Sequence, residues 1–136
     1  MKNRMLFFVI ASSILIILAF IAISGGFTSI GSIGNPSASD ILGGNPDADI
    51  IRFDDLIYSQ RDELYGRSIE DIEKGEKVGE IKKQTTTSWW FWDLYATKLS
   101  EGTPVFFEDG ETSETPSILI VELEGEELIY SALIEG

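Results

Sequence analysis

The sequence predicts a mainly β protein: an N-terminal transmembrane helix followed by one small antiparallel domain, a β-barrel or rolled sheet with little helix. Three observations lead there. Residues 6–23 form an uncharged apolar run of membrane-spanning length. Beyond residue 47 the apolar residues fall in short runs rich in Ile, Val, Phe, Trp and Tyr, separated by Asp and Gly. No heptad pattern and no internal repeat competes with that reading.

Residues 1–5 are a basic tip carrying Lys2 and Arg4. From Leu6 to Ile23 the chain reads LFFVIASSILIILAFIAI, with only Ser12 and Ser13 polar. A helix of that length rises ~27 Å, close to the ~30 Å of a hydrocarbon core. A lone segment in lipid satisfies its backbone only as a helix. No base lies between Ile23 and Arg52. The positive-inside rule therefore expects a cytoplasmic N-terminus and an extracytoplasmic remainder. A cleaved signal peptide is the alternative, with a small-x-small site at Ala22-Ile23-Ser24 that would release a secreted form. The apolar run exceeds the ~7–15 residues of a signal core, which favours a retained anchor.

Residues 24–47 (SGGFTSIGSIGNPSASDILGGNPD) read as a flexible stalk, being rich in Gly, Ser, Asn and Pro. An acidic β-rich domain is expected over 48–136. Strands are expected at 49–53 and 56–58, joined by an Asp54-Asp55 turn. Residues 62–66 read as a polar connection or short helical turn. Ser68 and Asp71 suit a helix cap, with Gly75 as the stop. Residues 76–87 read as a strand around Val78 and Ile81, with a bulge at Gly79. The aromatic run 89–95 reads as a strand with Trp89, Phe91, Asp93 and Tyr95 on one face; Trp90, Trp92, Leu94 and Ala96 would line the other. A strand at 103–107 leads to the turn dipeptide Asp109-Gly110. Residues 117–123 and 127–134 read as a hairpin about Glu124-Gly125, with Leu128, Tyr130, Ala132 and Ile134 on one face.

Composition narrows the chemistry. The 136 residues leave room for one domain. There is no Cys, so no disulfide, thiol nucleophile or lipidated cysteine is available. There is no His, which removes the Ser-His-Asp triad and His-based metal sites. Beyond residue 23, eight bases face 23 acids, a net charge of −15. Such a surface repels nucleic acid and anionic lipid. Asp54-Asp55, Asp47-x-Asp49 and Glu108-Asp109-x-Glu111 could each collect oxygen ligands for Ca²⁺, but none follows an EF-hand loop, and solvated turns explain them better. Ser88, Ser117 and Thr85–Thr87 have no activating base, and neither G-x-S-x-G nor S-x-x-K occurs. A catalytic carboxylate pair cannot be singled out among so many acids. The expectation is a protein that is not an enzyme, with no catalytic residues, cofactor or metal.

Two runs, Lys74-Gly-Glu-Lys-Val-Gly-Glu-Ile81 and Ala96-Thr-Lys-Leu-Ser-Glu-Gly-Thr-Pro-Val-Phe106, together resemble a domain of small secreted or membrane-attached proteins of Gram-positive bacteria of unknown function. The resemblance implies a compact β-rich extracytoplasmic domain and no particular activity. The chain differs from lipid-attached members in lacking the Cys. The residues themselves suggest backbone roles for Gly79 and Gly102 and core positions for Ala96, Leu99 and Val105.

Three Trp within four positions are hard to bury completely. Trp89, Trp90, Trp92 and Tyr95 are therefore the candidate partner-binding residues. The expectation is an interaction module whose partner is an envelope protein or a cell-wall glycan, with a structural or protective envelope protein as the alternative.

Overall fold

A computed structural model describes residues 34–135. The expected span at 6–23 and the first ten residues of the expected stalk lie outside the described residues. No helix among the described residues is long and apolar enough to cross a membrane.

The domain is mainly β. Its strands are β1 (Ile50–Phe53), β2 (Leu56–Arg61), β3 (Glu63–Leu64), β4 (Arg67–Ser68), β5 (Lys74–Glu80), β6 (Lys83–Gln84), β7 (Tyr95–Ala96), β8 (Pro104–Glu108), β9 (Ile118–Leu123) and β10 (Glu126–Ala132). Eight of them form one curled sheet in the order β5-β8-β9-β10-β2-β1-β7-β6, and β3–β4 make a separate small hairpin. Every pairing is antiparallel except β6–β7. The sheet is not closed into a barrel: β5 and β6 remain as its two edges.

Turn chemistry fixes the two long hairpins. Glu124 and Gly125 have φ of 53° and 85°, as a two-residue turn matching the strand twist requires. Asp54 and Asp55 do the same between β1 and β2, at 46° and 62°, using the tolerance of Asp for left-handed backbone. The β9–β10 hairpin forms as the sequence predicts, pairing Leu123 with Glu126 and Ser131 with Ile118.

Both faces of the central strands are covered. One face buries Ile51, Tyr58, Val105, Leu119, Val121 and Tyr130, together with Ile81, Leu94, Ala96 and Leu99. The opposite face buries Ile50 and Ile57 in one place, and Ile118, Ile120 and Ile129 in another. Covering two faces is why β9 reads as an unbroken apolar run and not as an alternation. Tyr58 and Tyr130 place their hydroxyls on acceptors, Pro116 O at 2.7 Å and Asp49 Oδ1 at 2.9 Å. Burial first, and nearby carboxylates second, push both phenols well above the ordinary tyrosine range.

Several expectations need correction. Within the expected flexible stalk, Ala38–Gly44 is a helix, α1. Ser37 caps it: its hydroxyl accepts from Asp40 N at 3.2 Å, and its own N–H donates to the Asp40 carboxylate at 2.9 Å. A hydrogen bond from the Ser37 hydroxyl to the Asp40 carboxylate at 2.6 Å, and after it the one from Ser37 N–H, hold that carboxyl below its usual range. Ala38 and Leu42, four residues apart, are buried against Ile50, Ile57 and Phe91. Composition read as linker thus conceals a capped amphipathic turn.

Ser68 and Asp71 do form a cap, but over a single 3₁₀ turn, Ile69–Asp71. Gly75 is not its stop. It lies inside β5, where a Cβ would sit 2.9 Å from Asp109 Cα. Of residues 62–66, Asp62 is a bend and 63–66 are the first strand and the turn of the β3–β4 hairpin. The strand expected over 76–87 breaks after Glu80 and resumes only at Lys83–Gln84. Gly79 lies at a register shift against β8, as the expected bulge.

Candidate functional site

The aromatic run is not a strand. Ser88–Trp90 is a 3₁₀ turn, and the extended chain resumes only at β7. Residues 85–94 form a compact loop whose two ends are hydrogen-bonded side by side. Lys82 N donates to Leu94 O at 2.8 Å, and Thr85 N to Ala96 O at 2.8 Å. A loop of this kind, closed at its base and filled by its own side chains, is a common site of function.

One residue plugs the loop into the body. Phe91 is buried with Ala38, Leu42, Ala48, Ile50 and Ile57, and meets Tyr95 edge to face. Its carbonyl accepts from Arg52 Nη1 at 2.8 Å. Asp93 accepts from Asp54 N at 2.7 Å, which ties the loop to the β1–β2 turn. Leu94 adopts φ of 58°, donates to Arg52 O at 2.7 Å, and is buried in the main core. Anchors at 91, 93 and 94 pin the chain on either side of Trp92 and just after Trp89 and Trp90. Trp89, Trp90 and Trp92 are 82%, 62% and 55% exposed.

The strand expectation split the four candidates between two faces. In the structure Trp90, Trp92 and Tyr95 come together around one pocket of about 180 Å³, while Trp89 stands apart from it. Lys83, Thr85 and Thr87 complete the lining. The parallel β6–β7 pairing sets Lys83 directly beside Tyr95. Of these three, Lys83 is absent from the sequence reading, and Thr85 and Thr87 enter it only as hydroxyls without an activating base. The signal for Lys83 was charge: residues 81–92 hold Lys82 and Lys83 and no acid, within a domain of net charge −15.

That local imbalance persists in space. Among the described residues, Arg52, Arg67, Lys74, Lys77 and Lys98 each lie within 4.0 Å of a carboxylate. Lys82 and Lys83 are exposed and make no ion pair among the described residues.

A second hollow, of about 470 Å³, borders the other side of the same strip and is lined by Ser39, Leu42, Pro46, Asp47, Thr86 and Ser88. A larger one, about 630 Å³, lies near Tyr65, Leu133 and Ile134. Its charged members, Arg61, Glu63 and Glu135, form no ion pair with one another. Size favours that hollow; the aromatic pocket is the better candidate because fixed rings and polar groups converge there.

The carboxylates assemble no comparable centre. Among the described residues no three acids are grouped to hold a metal ion. Burial raises the pKa of Asp49, opposed by the hydrogen bond from Tyr130 and the charge of Lys98. Asp49 serves the core beside Tyr130 and does not line the aromatic pocket. Comparison with family models, with characterised proteins and with solved structures gives no match.

Proposed function

We propose that this chain is a membrane-anchored interaction module whose acidic β-domain lies outside the cytoplasm and captures an envelope component through the loop at residues 85–95. The observation that carries the reading is the exposure of three indoles on a turn held rigid by Phe91. Exposed aromatic surface held in one conformation loses little entropy on binding, which is the usual property of an interface anchor. The uncharged run at 6–23, with Lys2 and Arg4 before it, supports the anchor and its orientation. The resemblance carried by Lys74–Ile81 and Ala96–Phe106 points to the same compartment.

A membrane-impermeant crosslinker applied to whole, wall-stripped cells tests both halves of the reading. The wild-type chain should form adducts, and Trp90→Ala with Trp92→Ala should lose most of them while the domain stays folded. No reaction with the chain at all would overturn the orientation. Equal capture by the double variant would overturn the site.

A further inference from the structure

The pocket's size, its lining and its charge point beyond a generic contact surface. We propose that it binds one ring of an acidic saccharide, with the ring against Trp90 and Trp92 and its carboxylate on Lys83. This deepens, and rests on, the reading of the aromatic loop as a capture site.

A volume of about 180 Å³ falls below the ~300–1,000 Å³ of sites for drug-sized ligands, so it suits a single small ring more than a peptide segment. The lining has two kinds of surface. Trp90, Trp92 and Tyr95 offer flat apolar faces with a polar edge, while Thr85 and Thr87 offer hydroxyls. A pyranose has the matching division, with C–H groups across its faces and hydroxyls around its rim. Thr85 Oγ1 already accepts from Thr87 N at 3.1 Å, which leaves its O–H proton to donate outward. A purely apolar partner such as a lipid tail or a leucine-rich helix would leave these hydroxyls without partners.

Charge selects an acidic sugar over a neutral one. Five of the eight bases beyond residue 23 already lie beside acids, yet the lysine in the pocket lining makes no ion pair among the described residues. Lys82 precedes it and no acid intervenes before Asp93. An anionic ligand is repelled by most of this surface, so the acid-free strip is where it meets least opposition. Two kinds of sugar carry the needed carboxylate: hexuronic acids, and amino sugars bearing a lactyl ether.

The test uses the full chain in nanodiscs of zwitterionic lipid, titrated with three probes while Trp emission is followed. The probes are a hexuronic acid oligomer, its carboxyl-reduced neutral counterpart, and an amino-sugar oligomer with lactyl carboxylates. Saturable binding of at least one acidic probe, tighter than the neutral one and weakened by salt, is expected. Lys83→Gln should lower that affinity about fivefold, the scale of one exposed ion pair, and erase the preference over the neutral oligomer. Trp90→Ala with Trp92→Ala should lower it at least ~10-fold, since two ring contacts are lost. Which acidic probe binds identifies the source of the carboxylate. Equal binding of acidic and neutral probes, or none by any, overturns the proposal. If no sugar binds but the double Trp variant still loses its crosslinked adducts in cells, the capture site stands and its partner is a protein. If neither changes, both readings fall.

Discussion

The β9–β10 hairpin and the aromatic loop look alike in sequence and fold in opposite ways. Both are strongly apolar runs of β-favouring residues. In the hairpin, Leu119, Val121 and Tyr130 enter one core while Ile118, Ile120 and Ile129 enter another, and Leu123 and Leu128 pack half-buried against the first, so strand geometry gives every large apolar side chain a core to meet. In the loop only Phe91 and Leu94 find cores, three residues apart and in different clusters. A strand would have set those two on opposite faces, and Trp90 and Trp92 on the Leu94 side would have needed a covering surface of their own. Among the described residues no element is left to supply one. β propensity reports a fit to a half-buried pleated surface, and where a second surface is missing the chain does better to turn.

The largest expected effect breaks the loop at its anchor. Phe91→Ala removes a buried ring from between α1 and the sheet, and such truncations cost about 3–5 kcal/mol. That is a sizeable share of a small domain's total of roughly 5–15 kcal/mol. Urea unfolding should show the loss, and faster amide exchange at residues 88–94 should show where it falls. A variant with undiminished stability would mean that the loop is held by Arg52 and Asp54 through their hydrogen bonds alone. In contrast, Trp90→Ala and Trp92→Ala should shift stability by no more than about 0.5 kcal/mol, as exposed substitutions do.

A smaller effect tests how the loop leans on the sheet. Gly79 in β5 would place a Cβ 2.8 Å from Leu94 Cδ1. Leu94 is fixed by a left-handed backbone and by bonds to Arg52 and Lys82, so it yields less readily than a free side chain. Gly79→Ala should destabilise the domain by about 1–3 kcal/mol, the range for overpacking. It should also disturb the Trp emission of the loop, which an equal loss caused by Leu119→Ala in the hairpin should not. Unchanged emission in Gly79→Ala would show that Leu94 moves without carrying its neighbours.

The contrast also shows what sequence could and could not convey. The hairpin was legible because its information is local: a two-residue turn at Glu124-Gly125 between matched apolar runs. The β1–β2 turn at Asp54-Asp55 was legible for the same reason. Gly79 could be read as a bulge because an isolated glycine within a strand pattern has few other uses. The site itself was half legible. Trp density marked the place, but the gathering of Trp90, Trp92 and Tyr95 depends on Phe91, whose partners Ala38 and Leu42 lie some 50 residues earlier in a segment whose composition suggested a stalk. Lys83 was hidden in the same way, since its place beside Tyr95 comes from a parallel pairing that no local pattern announces.

The smallest effect lies where the two regions meet. Tyr130 of the hairpin donates to Asp49, and the neighbouring Ala48 and Ile50 are both bonded to Thr97, just past the loop. Burial raises the Asp49 pKa despite that hydrogen bond, so the folded domain holds the Asp49 proton more tightly than the unfolded chain does. Its stabilising share is therefore complete below the ordinary carboxylate value of 3.8 and is lost as pH rises through the raised folded value. Asp49→Asn keeps an oxygen for Tyr130 and removes the buried charge. The variant should match the wild type near pH 3 and exceed it at pH 7 by less than about 1 kcal/mol, the scale of one net hydrogen bond. Unfolding curves at the two pH values decide the matter. A variant weaker at pH 7 would mean that the charged bond to Tyr130 outweighs desolvation, and that a carboxylate clamps the hairpin to the sheet edge carrying the loop.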